Sequence, residues 1–154
     1  MIRLARKSEL DAYIEIIRLT FEKISIDKNI ERSFGKIIPL KWWERKGLDI
    51  KRDFNANPKG FFVKEFDGKI AGFIATHIEK ESRTGKISHL AIHPNFQRKG
   101  FGSELMDYAL SFMRTNGMKI CRIEATDTND AAIKLYKKIG FKPVSVQIHL
   151  TKPL

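Results

Sequence analysis

Cysteine is nearly absent. Cys121 is the only one in 154 residues, so no internal disulfide framework can form, and the chain suits a reducing compartment, the cytoplasm. Histidine is scarce as well, and four scattered histidines with one cysteine give no zinc-ligand spacing, so no metal is expected. No apolar run approaches the roughly 20 residues that a bilayer-spanning helix needs. The opening residues, Met1 to Lys7, lack the apolar centre of a signal peptide, so no membrane partner is expected either. Acidic residues are in deficit, 18 against 29 Lys and Arg, which leaves a formal net charge of +11. That excess reads either as a solvated lysine-rich surface or as attraction for a polyanion, whether nucleic acid or a phosphorylated cofactor. No run of five or more basic residues occurs, which weakens the nucleic-acid reading.

What is present is ordinary for a globular fold: 42% hydrophobic and 31% charged residues, enough for one domain with a substantial core. Ile2 and Leu4 alternate with polar residues as a short strand would. Ser8 is placed to cap a helix whose apolar face is Leu10, Tyr13, Ile14, Ile17 and Phe21. Residues 27–60 are interrupted by Gly35, Pro39, Gly47 and Pro58. They still carry Phe34, Ile37, Ile38, Leu40, Trp42, Trp43, Ile50 and Phe54, too apolar for a linker, so one or two short helices are expected, with the Trp pair in the core. Phe61–Phe66 and Lys69–His77 read as a hairpin about Asp67-Gly68. Strands follow at 86–92 and 119–126, a helix between them ends at Asn116-Gly117, and Asn129 or Asp130 caps a second helix. Residues 143–150, with Val144, Val146, Ile148 and Leu150 alternating, read as a closing strand. The expected fold is α/β (α+β): a single domain with a mixed, mostly antiparallel sheet of about six or seven strands, flanked by about four helices.

Between the 86–92 strand and its helix lies Gln97-Arg98-Lys99-Gly100-Phe101-Gly102. A strand, a glycine-containing loop and a helix N-terminus together present backbone N–H groups that bind phosphate. Glycines let a ligand approach the backbone, and Arg98 and Lys99 add cations. This points to a nucleotide-like ligand with a pyrophosphate. A Walker loop is excluded by the glycine spacing. A dinucleotide-binding fingerprint is excluded because the loop follows three antiparallel strands.

The stretch from His89 to Gly102 resembles the central signature of the GCN5-related N-acetyltransferase (GNAT) superfamily: an apolar strand, a proline shortly after it, then Q/R-x-x-G-x-G/A. The stretch from Asn129 to Phe141 is similar to that family's N-x-x-A-[IL]-x-L-Y-x-x-x-G-F pattern almost residue for residue. The resemblance covers roughly Phe61 to Leu150 and the opening strand and helix, but not 27–60. It implies acetyl-CoA as co-substrate and a primary amine as acceptor. It implies that Leu90, Ala91 and Ile92 lie along the pantetheine arm, that Gln97, Arg98, Lys99, Gly100, Phe101, Gly102 and Ser103 form the pyrophosphate loop, and that Asn129 touches the cofactor farther along. Glu124 and Tyr136 fall where the branch that acetylates ribosomal-protein N-termini places its general base and general acid. The resemblance thus divides a single N-acetyltransferase domain, 1–154, into an acceptor-side segment (27–60), a pyrophosphate-loop unit (86–116) and a catalytic strand-helix unit (119–141).

The chemistry needs a neutral amine. A protein α-amine has a pKa of about 7.7–8.0 and a lysine about 10.4, so a base must remove a proton. Period two sets Ile120, Arg122 and Glu124 on one face of their strand, so Glu124 is read either as that base or as an ion-pair partner of Arg122. Ser88 and His89 are reserve candidates. Tyr136 is placed to protonate the departing thiolate, and a backbone N–H near Leu90 to Ile92 would hold the oxyanion. Cys121 turns to the opposite face from Glu124 and is expected to be inert, which favours direct transfer in a ternary complex. A small-molecule amine or a lysine side chain remains open as acceptor, a non-catalytic CoA-binding module is the rival reading, and edge strands leave a homodimer open.

Overall fold

A computed structural model describes residues 1–36 and 38–154; Ile37, one of the apolar residues singled out above, lies outside the described residues. Five strands form one sheet in sequence order: β1 (Ile2–Leu4), β2 (Phe61–Phe66), β3 (Lys69–Glu79), β4 (Thr84–Ile92) and β5 (Ile120–Ile123). The first three pairings are antiparallel and β4 with β5 is parallel. Five α-helices accompany them: α1 (Leu10–Thr20), α2 (Ile26–Phe34), α3 (Trp42–Ala56), α4 (Phe101–Thr115) and α5 (Asp130–Ile139). The fold class is the one expected, with one or two strands fewer and one helix more among the described residues.

Strand alternation builds a core on each face of the sheet. Phe61 and Val63 of β2 and Phe73 and Ala75 of β3 face Leu10, Tyr13, Ile16 and Ile17 of α1 and Trp42, Ile50 and Phe54 of α3. Phe61 and Phe73 stack at 5.8 Å between ring centroids, and Tyr13 closes on both. The intervening residues, Phe62 and Ile74, face Leu105, Met106, Ala109 and Met113 of α4. Each such side chain taken from water contributes about 1.5–3 kcal/mol, so the two layers outweigh any local propensity. Trp42 is buried and Trp43 packs half-buried against the same core, edge to face at 5.9 Å, as the packing reading of the pair requires. Asp67 and Gly68 both take positive φ, the two-residue hairpin turn expected of Asp-Gly.

Three local expectations need correction. Ser8 caps nothing: it sits inside a short 3-10 turn, Lys7–Glu9, and the Glu9 carboxylate accepts the Arg6 N–H at 3.0 Å instead. That carboxylate also takes Arg3 at 2.7 Å and the Tyr13 hydroxyl at 2.7 Å, while Arg3 reaches Glu65 at 2.8 Å, tying β1, β2 and α1 together. The strand assigned to 119–126 is shorter, ending at Ile123. The closing strand does not form: residues 141–154 have no regular structure, and Val144, Val146, Ile148 and Leu150 are 85–94% exposed. Alternation tells which face a residue would take in a sheet, but a strand also needs a neighbour to satisfy its N–H and C=O groups, and the sheet stops at β5.

Candidate active site

Strand β4 is the axis of the site. It pairs with β3 along its whole length, yet pairing with β5 stops at Ile87–Ile123, so Ser88 to Ile92 have no neighbouring strand on that side. A bulge accompanies the break: Ala75 pairs with His89 and Thr76 with Ile87, leaving Ser88 as the extra residue. The bulge inverts the alternation. Ile87 packs with α4 on one face, whereas His89 and Ala91 face α1 and α3 on the other.

Past β4, a 3-10 turn at Pro94–Phe96 leads into the glycine loop. The Gln97 amide donates to Ile92 O at 3.1 Å, folding the loop back on the strand end. Residues 97–100 are exposed, and Arg98 and Gly100 take positive φ, +60° and +82°. Helix α4 starts at Phe101. Gly100 is its N-cap and supplies no side chain, so the first-turn N–H groups have no side-chain cap and open onto the loop. Phe101 is buried against the Lys64 ammonium, which pairs with Glu104, and Lys99 stands 5.2 Å from the Phe66 ring. Gly102 joins the parts: a Cβ there would lie 3.4 Å from Leu135 of α5 and 3.8 Å from Ile92 of β4. Asn129 caps α5, its Oδ1 accepting the Ala132 N–H at 3.3 Å, which leaves its amide NH₂ for other contacts.

The two residues expected to do acid–base work occupy different surroundings. Glu124 sits just beyond β5, largely exposed, paired with Lys86 at 3.0 Å rather than with Arg122. It lines a cleft of about 240 Å³ between α3 and β4 with Lys46, Asp49, Arg52, Asp53, Lys86, Ser88 and His89. Tyr136 lies on α5, packed with Phe141 on the α4 side, and burial pushes its hydroxyl up to about 12. No hydrogen bond joins it to Glu124 among the described residues. Cys121 is half-buried on that same side and burial raises its thiol to about 11. Sequence reasoning missed Asp53 and His77. The His89 Nε2 lies 3.0 Å from Asp53 Oδ2, with His77 Nε2 at 3.4 Å. Burial works against ionising Asp53, but the hydrogen bonds from His89 and then His77, together with the charge these rings carry when protonated, prevail and hold it well below the carboxylate range. His89 is pulled down, chiefly by burial. Its Nδ1 and the Ser88 Oγ are buried and have no hydrogen-bond partner among the described residues. Only the spacing of Lys46, Asp49 and Asp53 at i, i+3 and i+7 on one helix could have signalled the pairing. Among the described residues no group of His, Cys, Asp and Glu is placed to hold a metal ion.

The arrangement suits an anionic ligand at α4 and a small polar one in the cleft between α3 and β4. The family model for the acetyltransferase (GNAT) family matches residues 21–141. A curated N-acetyltransferase of Methanocaldococcus jannaschii, itself uncharacterized, is 30% identical over 153 residues, covering 94% of this chain and 62% of that protein, so the chain spans about three-fifths of that relative's length. The solved PaiA N-acetyltransferase from Thermoplasma acidophilum, in complex with coenzyme A, superposes with a TM-score of 0.74 at 19% identity, covering 96% of this chain and 92% of that one. The ribosomal-protein-S18-alanine N-acetyltransferase from Escherichia coli superposes with a TM-score of 0.66 at 20% identity, covering 94% and 79%. At these identities the two solved structures share the fold.

Proposed function

We propose, from the premise that the chain belongs to the acetyltransferase (GNAT) family, that it transfers an acetyl group from acetyl-CoA to a primary amine by direct attack in a ternary complex, with a protein N-terminal α-amine as acceptor. The observation that carries this reading is the uncapped start of α4 at left-handed Gly100, beside exposed Arg98 and Lys99: a ready site for a pyrophosphate. The coenzyme A complex of the Thermoplasma acidophilum neighbour supports the same ligand. Acetyl-CoA, when bound, supplies the acetyl group as a thioester. Gln97 to Ser103 would hold its pyrophosphate. The open edge of β4 at Leu90, Ala91 and Ile92 would run along the pantetheine arm, and Asn129 would offer its amide.

Glu124 is the general base in this reading. The acceptor enters as an ammonium and gives a proton to the Glu124 carboxylate, which the salt bridge to Lys86 holds at the cleft. Tyr136 is the general acid. With its hydroxyl held near 12 it stays protonated across neutral pH and can donate to the departing sulfur. Cys121, raised to about 11, stays a thiol and offers no nucleophile, which favours direct transfer. Residues 27–60 form the acceptor side, 86–116 the pyrophosphate unit and 119–141 the catalytic unit of one domain, and the compartment is a reducing one, the cytoplasm. A second reading, a small-molecule amine as acceptor, is favoured by the modest volume of the cleft. Calorimetry with CoA, followed by an acetylation screen over alanyl peptides and small amines read by thiol release, tests both. Absence of CoA uptake at millimolar concentration sinks the reading.

A further inference from the structure

The cleft beside Glu124 carries three carboxylates and three fixed cations: Asp49, Asp53 and Glu124 against Lys46, Arg52 and Lys86. Two pairs neutralise one another locally, Arg52 with Asp49 and Lys86 with Glu124. Asp53 is different. Its partners are the imidazoles of His89 and His77, and among the described residues no Lys or Arg pairs with it. An imidazole is not a permanent cation, and burial disfavours the charged form of His89. The unpartnered, buried Nδ1 of His89 settles its tautomer. A proton there would be a buried donor without an acceptor, so the proton sits on Nε2 and is donated to Asp53. His89 therefore orients Asp53 without cancelling its charge. The Asp53 carboxylate is still 26% exposed and borders the cleft. Lys46, two turns earlier on the same face of α3 and about 10.5 Å away along the axis, is the remaining fixed cation.

We propose that Asp53 is the acceptor-binding residue: the acceptor amine enters the cleft as its ammonium, with the positive nitrogen on the Asp53 carboxylate and Glu124 within the same cleft to take the proton. His77 and His89 are positioning residues for that carboxylate. The inference rests on the acetyltransferase reading and adds the charge state in which the acceptor is recognised: cationic amines are selected over neutral and acidic compounds of equal size.

The test compares the full chain with Asp53→Asn at pH 7 and low ionic strength, using propylamine and an alanyl peptide as acceptors. The expected result is a rise of about tenfold or more in KM for the amine, with kcat changed less than about threefold and KM for acetyl-CoA unchanged. Tetramethylammonium should compete with the amine in the wild type, whereas uncharged tert-butanol should not. An amine KM unmoved by Asp53→Asn, or equal inhibition by the alcohol, overturns the proposal. A second measurement needs neither turnover nor a folded variant. The imidazole nitrogen resonances of His77 and His89 should shift on adding propylammonium and not tert-butanol, and the absence of a shift refutes the proposal. Calorimetric CoA uptake by the same sample judges the acetyltransferase reading separately: failure there leaves the imidazole shifts standing.

Discussion

A single buried or half-buried group decides most of what this fold can do chemically, and Glu9 illustrates it for stability. Its carboxylate is held near 2, chiefly by the Arg3 guanidinium and against the cost of burial, with the Tyr13 hydroxyl and the Arg6 N–H donating further hydrogen bonds to it. Its ordinary value is 4.5. A lowered folded-state value means that the stabilisation is complete above about 4.5 and is lost as pH falls towards about 2. Urea titrations between pH 6 and pH 2 should show this loss, and Glu9→Gln should be less stable at pH 6 by about 1–3 kcal/mol with a flatter acid limb. A variant as stable as the wild type at pH 6 would remove Glu9 from the account. The same scale governs Tyr136. Tyr136→Phe keeps the packing against Phe141 and deletes only the hydroxyl, so turnover should fall at least tenfold while calorimetric CoA affinity stays within about twofold. Unaffected turnover would strike Tyr136 from the acid role.

At the level of elements, the loop-to-helix junction at Gly100 can be tested apart from chemistry. A Cβ there meets no atom within 4 Å, so Gly100→Ala costs no clash; its cost is the +82° φ, about 1–2 kcal/mol for an L residue. We expect that loss in thermal unfolding, together with weaker CoA binding as the loop relaxes away from its left-handed turn. Stability and affinity both unchanged would mean the junction tolerates another conformation. The tail carries the opposite expectation. Val146→Asp and Ile148→Asp remove no folded contact, because both side chains are exposed, so melting temperature should hold within about 2 °C; a larger drop would place these residues in a buried interface. These elements also mark where sequence was informative. The hairpin at Asp67-Gly68, the glycine loop and the Asn129 cap were legible because each depends on local backbone chemistry. The helices of 27–60 were expected from apolar content, but not their bounds. The break between β4 and β5 and the bulge at Ser88 are properties of strand pairing, which the spacing of Ser88 and His89 along one strand cannot express. Asp53 went unread because its partners are 24 and 36 residues away and meet it only where α3 packs on β3 and β4.

Across the whole molecule, the question left by composition is what the +11 charge attracts. Arg98 and Lys99 flank the uncapped end of α4, while Lys46, Arg52 and Lys86 rim the cleft between α3 and β4, where carboxylates offset them. A polyanion as long as a duplex would need a run of fixed phosphate partners and would lose affinity by orders of magnitude over a modest rise in salt. A compact anion at a helix N-terminus is held mainly by backbone N–H groups at short range, where screening is weak, with the surrounding field adding to the rate of encounter. CoA association should therefore slow as ionic strength rises from about 0.01 to 0.15 M, with dissociation nearly unchanged, in stopped-flow measurements. Arg98→Gln with Lys99→Gln should lower association further and flatten its salt dependence, while leaving Gly100 and the first turn of α4 to retain part of the affinity. Dissociation that accelerates steeply with salt would mean that side-chain charge, not the helix terminus, holds the ligand.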